Sequence, residues 1–488
     1  MAGIGVKLNK IYEKHTITTD LYGFFYSSLM TVAPMFLVIG VIILVQWLFG
    51  FATTRYADRE LFASTVLYIF IFSLISASPL NAVLSRFLSD TIFDETYENI
   101  MPCYYVGLLM NVVIGLCLAV PFCIHEYLTG LVPLYYVFTG FCGFLTLLLV
   151  FYSMLYLNIT KDYQKISLFF LIGMSVTFLL SWILIRFFRW EITYTILFSL
   201  VIGFGIIASL EFAQIRSYFR YNSLNYRGVL QYFKDYWQLI LANFLYTFGL
   251  FVHNFVFWTT PEHLVVVRSF VSHTSYDMAS CLAMFTNISA TIIFISRIEM
   301  NFHERYKAYS EAVIGGRGMD VENAKSRMFL QLGDELMSLA RLQFIVTVVA
   351  FLLCLVILPQ FGFGGSTMRI YPMLSLGYYI LFLMYAEILF LYYFNDLDGA
   401  VITTLCFALF TCIGAFISTH FTEIWYGTGL VFGAFIGFGT GYARIRWVEK
   451  NLDTHIFCSG HILKQGEGIK PSNLVFDRKR GIAPEAQR

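Results

Sequence analysis

Glu387 is an ionisable side chain inside a long apolar segment, 370–395, about two-thirds of the way along it. A carboxylate at membrane depth could bind a cation, take part in a proton relay or hydrogen-bond sugar hydroxyls. The alternatives are a structural partner for a polar group on another helix, or a helix tilt that brings the carboxylate to the membrane interface. The carboxylate and its depth make Glu387 a functional candidate, but they do not decide its role.

His253 and Asn254 form a second candidate pair, inside the apolar segment 236–261. Histidine titrates near neutral pH, which suits a protonation-linked role. A histidine five residues from Trp258 is also typical of the membrane interface. Neighbouring residues of a helix point about 100° apart, so the two side chains need not share one site.

Asp396 and Asp398 reproduce the DxD spacing with which many glycosyltransferases bind a metal-nucleotide. No nucleotide-binding domain surrounds them, and we expect Asp398 to cap the helix that follows. The nine cysteines include no CxxC pair, which argues against a zinc site or a disulfide framework. We therefore predict no catalytic residue, no metal and no cofactor.

The elements that hold these residues are long runs without Asp, Glu, Lys or Arg, and only the run 370–395 is interrupted, by Glu387. Only 13% of the residues are charged, against about 25% in a typical soluble protein. Crossing a bilayer takes about 20 apolar residues of helix, and membrane strands alternate instead of staying apolar. Twelve transmembrane helices are predicted, one in each of the segments 21–54, 61–85, 99–125, 127–160, 166–185, 192–210, 236–261, 278–296, 342–368, 370–395, 399–422 and 424–443.

The basic residues predict the orientation of these helices. With the N-terminus in the cytoplasm, inside segments hold 26 of the 32 Lys and Arg residues and outside loops hold 6. Such a bias places both termini in the cytoplasm. Six segments precede the loop at 211–235 and six follow it, which predicts two parallel six-helix lobes. We divide the chain into a lead at 1–20, a lobe at 21–212, a linker at 213–235, a lobe at 236–445 and a cytoplasmic tail at 446–488.

A polar arm at 297–341 interrupts the second lobe. Apolar residues recur through it at helical spacing, from Ala324 to Leu339. This pattern indicates either an interfacial helix lying on the membrane or a docking surface for a cytoplasmic partner. The acidic candidates for such docking are Glu304, Asp334 and Glu335.

Small residues and prolines predict local packing. Gly433, Gly437 and Gly441 form two successive GxxxG spacings in the last segment, which favour close helix contact. Pro34 and Pro79 interrupt the first and second segments. Each predicts a kink where a neighbouring group satisfies the freed carbonyl.

Several stretches resemble the Pel exopolysaccharide transporter family, the PelG-like branch of the multidrug/oligosaccharidyl-lipid/polysaccharide (MOP) flippase superfamily. They are MAGIGVKLNKIYEK, RFLSDTIFDETYENIMP with Arg86 and Asp90, KDYQKISLFFLIG, YTFGLFVHNFVFWTTP and LFLYYFNDLDGAVITTLCFALF. A further stretch, SYDMASCLAMFTNISATIIFISRIEMNFHERYKAY, carries Tyr276, Asp277, Arg297, Glu299 and Glu304. Where relatives carry an Asp-Lys pair in the seventh helix, this chain has His253 and Asn254, so an ion-pair role does not carry over.

The resemblance implies a MATE-like fold and export of Pel, an N-acetylhexosamine-rich glycan, across the cytoplasmic membrane during biofilm matrix production. It also implies a cytoplasmic glycosyltransferase and a cyclic-di-GMP-responsive membrane subunit as partners; nucleic acid is not an expected partner. The residues expected to line or gate the path are Arg86, Asp90, His253, Asn254, Tyr276, Asp277, Arg297, Glu299 and Glu387. The alternatives are a cation-coupled exporter of small molecules or lipid-linked oligosaccharides, and a membrane-embedded glycosyl- or acyltransferase.

Overall fold

The computed structural model describes residues 33–34, 36–159, 163–261, 263–267, 270–293, 299–361 and 365–458. This part of the chain forms fourteen α-helices and one β-hairpin. The helices of the first half are α1 Phe36–Leu48, α2 Tyr56–Phe93, α3 Ile100–Thr129, α4 Leu134–Ile159, α5 Tyr163–Arg186, α6 Ile192–Tyr218 and α7 Tyr226–Asp235. The second half holds α8 Trp237–Phe257, β1 Leu264–Val267, β2 Phe270–Ser272, α9 Thr274–Ile293, α10 Glu299–Gly315, α11 Gly318–Ile357, α12 Gly365–Tyr393, α13 Leu397–Ser418 and α14 Thr428–Cys458.

Each of the twelve predicted segments contains one of these helices. Within the described residues, nine helices are long and apolar enough to cross a membrane, and α1 is a shorter apolar helix. The remaining two segments hold α9 and α14. The two other helices, α7 and α10, lie in the linker and the arm. α14 continues to Cys458, past the predicted lobe boundary at 445.

Two large hydrophobic cores divide the helices into lobes, and a small third cluster of Ile71, Ile75 and Phe251 lies between α2 and α8. The first core runs from Val38 to Leu239 along the chain, and later elements add Phe270 and Leu397 to it. The second runs from Ala242 to Leu452. We call α1–α6 the N lobe and α8–α14 the C lobe. Apart from the arm helix α10, each lobe holds six helices, as predicted.

Glycines bring the last helix close to its neighbours in the C lobe. A methyl group added at Gly433 would overlap the backbone of Thr411 on α13. At Gly437 it would overlap Met384 on α12, and at Gly441 it would overlap the Glu387 carboxylate. The GxxxG spacings therefore mark the close contact that the sequence predicts.

Helix α2 passes through Pro79 and stays continuous over 38 residues. At 1.5 Å per residue it is about 57 Å long, well beyond the apolar thickness of a bilayer. Proline cannot bond the carbonyl four residues earlier, and here the Ser78 hydroxyl donates to that carbonyl, on Ile75, at 3.1 Å. The Asn243 side chain of α8 donates to the Ser78 carbonyl. Pro79 thus lies where the two lobes touch.

The arm differs from the interfacial helix that the sequence suggests. Its apolar stripe, including Met328, Leu332 and Leu339, is buried against the C lobe. Phe329 stacks on Phe394 with 5.3 Å between ring centroids. The stripe belongs to α11, which runs for 40 residues without interruption into the membrane span. The arm is therefore an extension of the lobe and does not rest its apolar face on lipid.

Candidate functional site

The lobes meet at one end of the bundle through the hairpin between α8 and α9. The Tyr68 hydroxyl on α2 donates to the Val271 carbonyl at 2.6 Å and accepts from the Val271 N–H at 2.9 Å. Beside it, the Ser64 hydroxyl donates to Ser272 Oγ at 3.3 Å. We call these four residues the outer clasp. The basic-residue distribution predicts that this end faces away from the cytoplasm.

Aromatic rings surround the outer clasp. Tyr68 stacks on Phe270 of the hairpin, with centroids 5.8 Å apart, and lies 5.0 Å from the ring of Trp258. One turn along α2, Phe72 stacks on Phe255 at 5.9 Å. Rings from both lobes therefore close this part of the boundary, and few hydrogen bonds would break when the lobes separate there.

Asp277 fixes the C-lobe side of this boundary. Its carboxylate accepts hydrogen bonds from Asn254 Nδ2 at 2.8 Å, Trp258 Nε1 at 3.0 Å and the His273 backbone N–H at 3.0 Å. The backbone bond satisfies a donor at the start of α9, in the manner of a helix cap. Through Trp258, Asp277 positions the ring that contacts Tyr68.

His253 lies one residue from Asn254 and joins the same cluster. Its Nδ1 is 2.9 Å from the Tyr276 hydroxyl, and the Tyr276 ring stacks on Phe257 with centroids 3.9 Å apart. Within the described residues, His253 Nε2 and Asn254 Oδ1 are buried and have no hydrogen-bond partner. His253 is fully buried within the protein, and its location relative to the membrane interface stays a prediction. Adjacent residues of α9 bring the pair into one cluster.

Arg86 and Asp90 lie at the other end of α2, about 27 and about 33 Å from Tyr68 along the helix at 1.5 Å per residue. Arg86 Nη1 donates to Asn395 Oδ1 of the C lobe at 2.8 Å, and its guanidinium lies 4.3 Å from the Tyr236 ring centroid. Asp90 accepts from the Tyr232 hydroxyl on α7 at 2.6 Å. We call these five residues the inner latch. Burial raises the pKa of Tyr232 well above its usual value, as does the bond to Asp90, so this hydroxyl remains a donor at neutral pH.

The FNDLDG turn that supplies Asn395 stabilises the junction between α12 and α13. Asp396 caps α13, accepting from the Gly399 N–H at 3.3 Å. It also forms a bidentate pair with Arg444 on α14, at 2.5 and 2.9 Å. The expectation that Asp398 is the cap is wrong, because the helix begins one residue before it, at Leu397.

Among the described residues, two carboxylates are fully buried inside the lobes and lack a hydrogen-bond partner. Glu387 lies against Gly441 in the C lobe, and both of its oxygens lack a hydrogen-bond partner in the described part of the chain. No described residue supplies the polar partner that one of the alternatives requires, and the role of Glu387 stays a prediction. The N lobe holds a similar residue, Glu211 on α6, whose oxygens are likewise buried and unbonded there. Sequence analysis missed Glu211 because it ends the charge-free run at 210.

The remaining candidates lie in or before the arm. Arg297 lies outside the described residues, and Glu299 is the first residue of α10. Glu304 and Asp334 are exposed, whereas Glu335 is buried and accepts from Gln331 Nε2 at 2.8 Å. The three acidic docking candidates therefore do not form one exposed surface. Among the described residues, no three His, Cys, Asp or Glu side chains are grouped as a metal site requires.

A family comparison covers nearly all of the chain. The family model described as "PelG: Putative exopolysaccharide Exporter (EPS-E)" matches residues 1–457. The chain belongs to this family. No curated protein sequence matches it. The family agrees with the resemblance carried by Arg86, Asp90, Tyr276 and Asp277, and its description points to exopolysaccharide export.

Solved structures show the same fold at low sequence identity. An inward-facing multidrug resistance MATE family transporter of the MOP superfamily is 12% identical, with a TM-score of 0.56 over 87% of this chain and 99% of its own. A MATE crystal structure in the bent conformation is 12% identical, with a TM-score of 0.57 over 92% and 98%. An outward-facing MATE transporter is 15% identical, with a TM-score of 0.55 over 87% and 96%. These matches confirm the predicted two-lobed MATE-like fold. Inward- and outward-facing structures match about equally.

Proposed function

We propose that this protein exports the Pel exopolysaccharide, an N-acetylhexosamine-rich glycan, across the cytoplasmic membrane during biofilm matrix production. Family membership supports an exopolysaccharide as cargo, and the MATE-like fold supports a path between the lobes. The observation that carries the proposal is the boundary along α2. Its two ends are held by small sets of polar and aromatic contacts, the outer clasp and the inner latch.

These contacts have the strength expected of gates. A typical hydrogen bond contributes about 1 kcal/mol net, so two or three can be broken and remade without unfolding a lobe. Tyrosine and tryptophan rings present apolar faces with polar edges, which suits the faces and hydroxyls of sugars. Arg86 and Asp90 offer a donor and an acceptor at the inner end. In this mechanism the glycan replaces the contacts that the lobes make with one another.

The proposal includes orientation and partners. Both termini face the cytoplasm, so a cytoplasmic glycosyltransferase delivers the growing chain to the inner latch. A cyclic-di-GMP-responsive membrane subunit couples synthesis to export. Of the three acidic docking candidates, Glu304 and Asp334 are exposed on the arm and available to a partner, whereas Glu335 is buried.

The buried carboxylates favour a second candidate, a cation-coupled exporter of small molecules or lipid-linked oligosaccharides. Glu211 and Glu387 lie in transmembrane helices without hydrogen-bond partners among the described residues, and such groups often belong to proton relays. This candidate predicts proton flux in vesicles that contain only this protein, abolished by the Glu211→Gln and Glu387→Gln substitutions. Polymer secretion that survives both substitutions favours the first proposal.

A cross-link across the outer clasp tests the proposed path. Ser64 and Ser272 lie on different lobes with hydroxyl oxygens 3.3 Å apart, so cysteines there need little movement to form an S–S bond of about 2.05 Å. The variant Ser64→Cys with Ser272→Cys should lose polymer secretion after oxidation and regain it after reduction. Each single cysteine variant, treated with the same oxidant, should secrete normally.

Two outcomes would contradict the proposal in different ways. Full secretion from the oxidised double variant would show that the glycan does not pass between the lobes at this end. A secreted polymer without N-acetylhexosamines would leave the path intact and exclude Pel as the cargo. Sugar analysis of the polymer from a strain that depends on this exporter distinguishes the two.

A further inference from the structure

A partly open cavity lies inside the N lobe directly below the outer clasp. Its volume is about 220 Å³, and its walls come from α2, α3 and α4. Phe270 of the hairpin supplies a further wall from the C lobe. The residues that the resemblance places along the polymer path do not line this space, whereas Tyr68 and Phe270, which lie at the lobe boundary, do.

The chemistry of the walls favours a hydrocarbon over a sugar. Apolar side chains such as Ile69, Phe72 and Phe144 make up most of the lining. The hydroxyls in the walls are already paired: Tyr136 with Thr65 at 3.1 Å, and Tyr68 with the Val271 backbone. A sugar ring bound here would bury hydroxyls without partners, which is costly. Apolar cavities of about 150 Å³ stay dry and bind ligands such as benzene or xenon.

The depth of the cavity indicates which hydrocarbon reaches it. Its lining residues on α2 and α4 come from the first half of each helix, and those on α3 lie near its outer end. They therefore lie at the level of one leaflet's acyl chains. Two of the α3 residues, Leu118 and Phe122, are 48% and 37% exposed, which leaves the α3 side open to entry.

We propose that this cavity binds the acyl chain of a membrane phospholipid. Tyr68 and Phe270 belong both to the cavity wall and to the contact between the lobes. A bound chain gives both rings dispersion contacts that an empty cavity lacks. Lipid in the cavity thereby supports the closed outer clasp.

Photolabelling of the full-length protein in vesicles tests the site. The probe is a phosphatidylglycerol with a diazirine at the end of one acyl chain, diluted into phosphatidylethanolamine and phosphatidylglycerol. We expect label on the lining segments 118–123 and 136–144. Ala119→Phe and Gly140→Leu fill the cavity from opposite walls, and a Cβ at Gly140 meets only Thr65, at 3.6 Å. Either variant should lower the label on these segments at least fivefold.

Leu353 and Val356 on α11 are exposed apolar residues and serve as internal controls whose label should not change. Unlabelled lining segments in the wild-type protein would overturn the proposal, even if both variants failed to fold. Label that persists in a folded filling variant would also overturn it. So would displacement of the label by a soluble N-acetylhexosamine oligosaccharide. No polymer is exported in this measurement, so its outcome is independent of the proposed function.

Discussion

Replacing Tyr68 with phenylalanine isolates the polar part of the outer clasp. The ring remains, so stacking on Phe270 and contact with Trp258 should persist. The hydroxyl is lost, and with it the bonds of 2.6 and 2.9 Å to the Val271 backbone. At about 1 kcal/mol for each hydrogen bond, closure weakens by about 2 kcal/mol. Since each 1.4 kcal/mol is a factor of ten, the fraction of molecules with an open clasp rises about 30-fold.

The reaction of a cysteine at position 272 reports this opening. Ser272 is only 4% exposed, so in a Ser272→Cys protein a membrane-impermeant maleimide reaches the thiol mainly when the hairpin moves. When closing is faster than labelling, the labelling rate follows the open fraction. We expect Tyr68→Phe to raise that rate about 30-fold in the Ser272→Cys background.

Tyr136→Phe is the matched control for this measurement. Its hydroxyl bonds Thr65 at 3.1 Å, within the N lobe, and makes no bond to the hairpin. Removing it should leave the labelling rate within about twofold of the background, because the lost bond does not cross the lobe boundary. Equal rates in Tyr68→Phe and the background would refute the reasoning, as would an equal increase in the control.

Three further predictions concern the inner latch and the C lobe. Arg86→Lys keeps the charge but loses the planar group that stacks on Tyr236. We expect backbone amides in the turn after α12 to exchange hydrogen about fivefold faster in this variant. An unchanged exchange rate would contradict the role of the inner latch. Gly433→Ala adds a methyl group against the α13 backbone and should destabilise the protein by about 1–3 kcal/mol in thermal unfolding. The control is Gly439→Ala, whose added methyl group points into open space and should leave the stability unchanged. Asp396→Asn breaks the bidentate pair with Arg444 and should lower the free energy of unfolding by about 2 kcal/mol. If chemical denaturation gives the same free energy of unfolding for the variant and the wild type, the pair contributes nothing to stability.

The outer clasp depends on contacts that the sequence pattern alone does not predict. The loop between Trp258 and Tyr276 is too short for a domain, and its sequence does not predict a β-hairpin. Val271 finds its partner in Tyr68, which is 203 residues earlier. Such a pairing depends on how two lobes dock, and no local propensity encodes it.

The sequence shows which charged residues lie in or beside the apolar segments, but it does not show which of them are buried. Glu387 was visible because it interrupts a charge-free run, whereas Glu211 closes one and resembles the start of a loop. Only the packing of α6 shows that its carboxylate is fully buried. The sequence favours Asp398 as the cap of α13, but the cap is Asp396, which also pairs with Arg444, 48 residues later.

The sequence by itself determined the membrane class, the twelve helices and their division into two sets of six. The physical reason is that lipid requires long apolar helices, and their lengths and charges are local properties of the chain. The tertiary structure decided which polar residues meet: His253 and Asn254 in one cluster, Arg86 at Asn395, and Tyr68 at the hairpin. These contacts join residues that are distant along the chain, so they exist only once the lobes have packed.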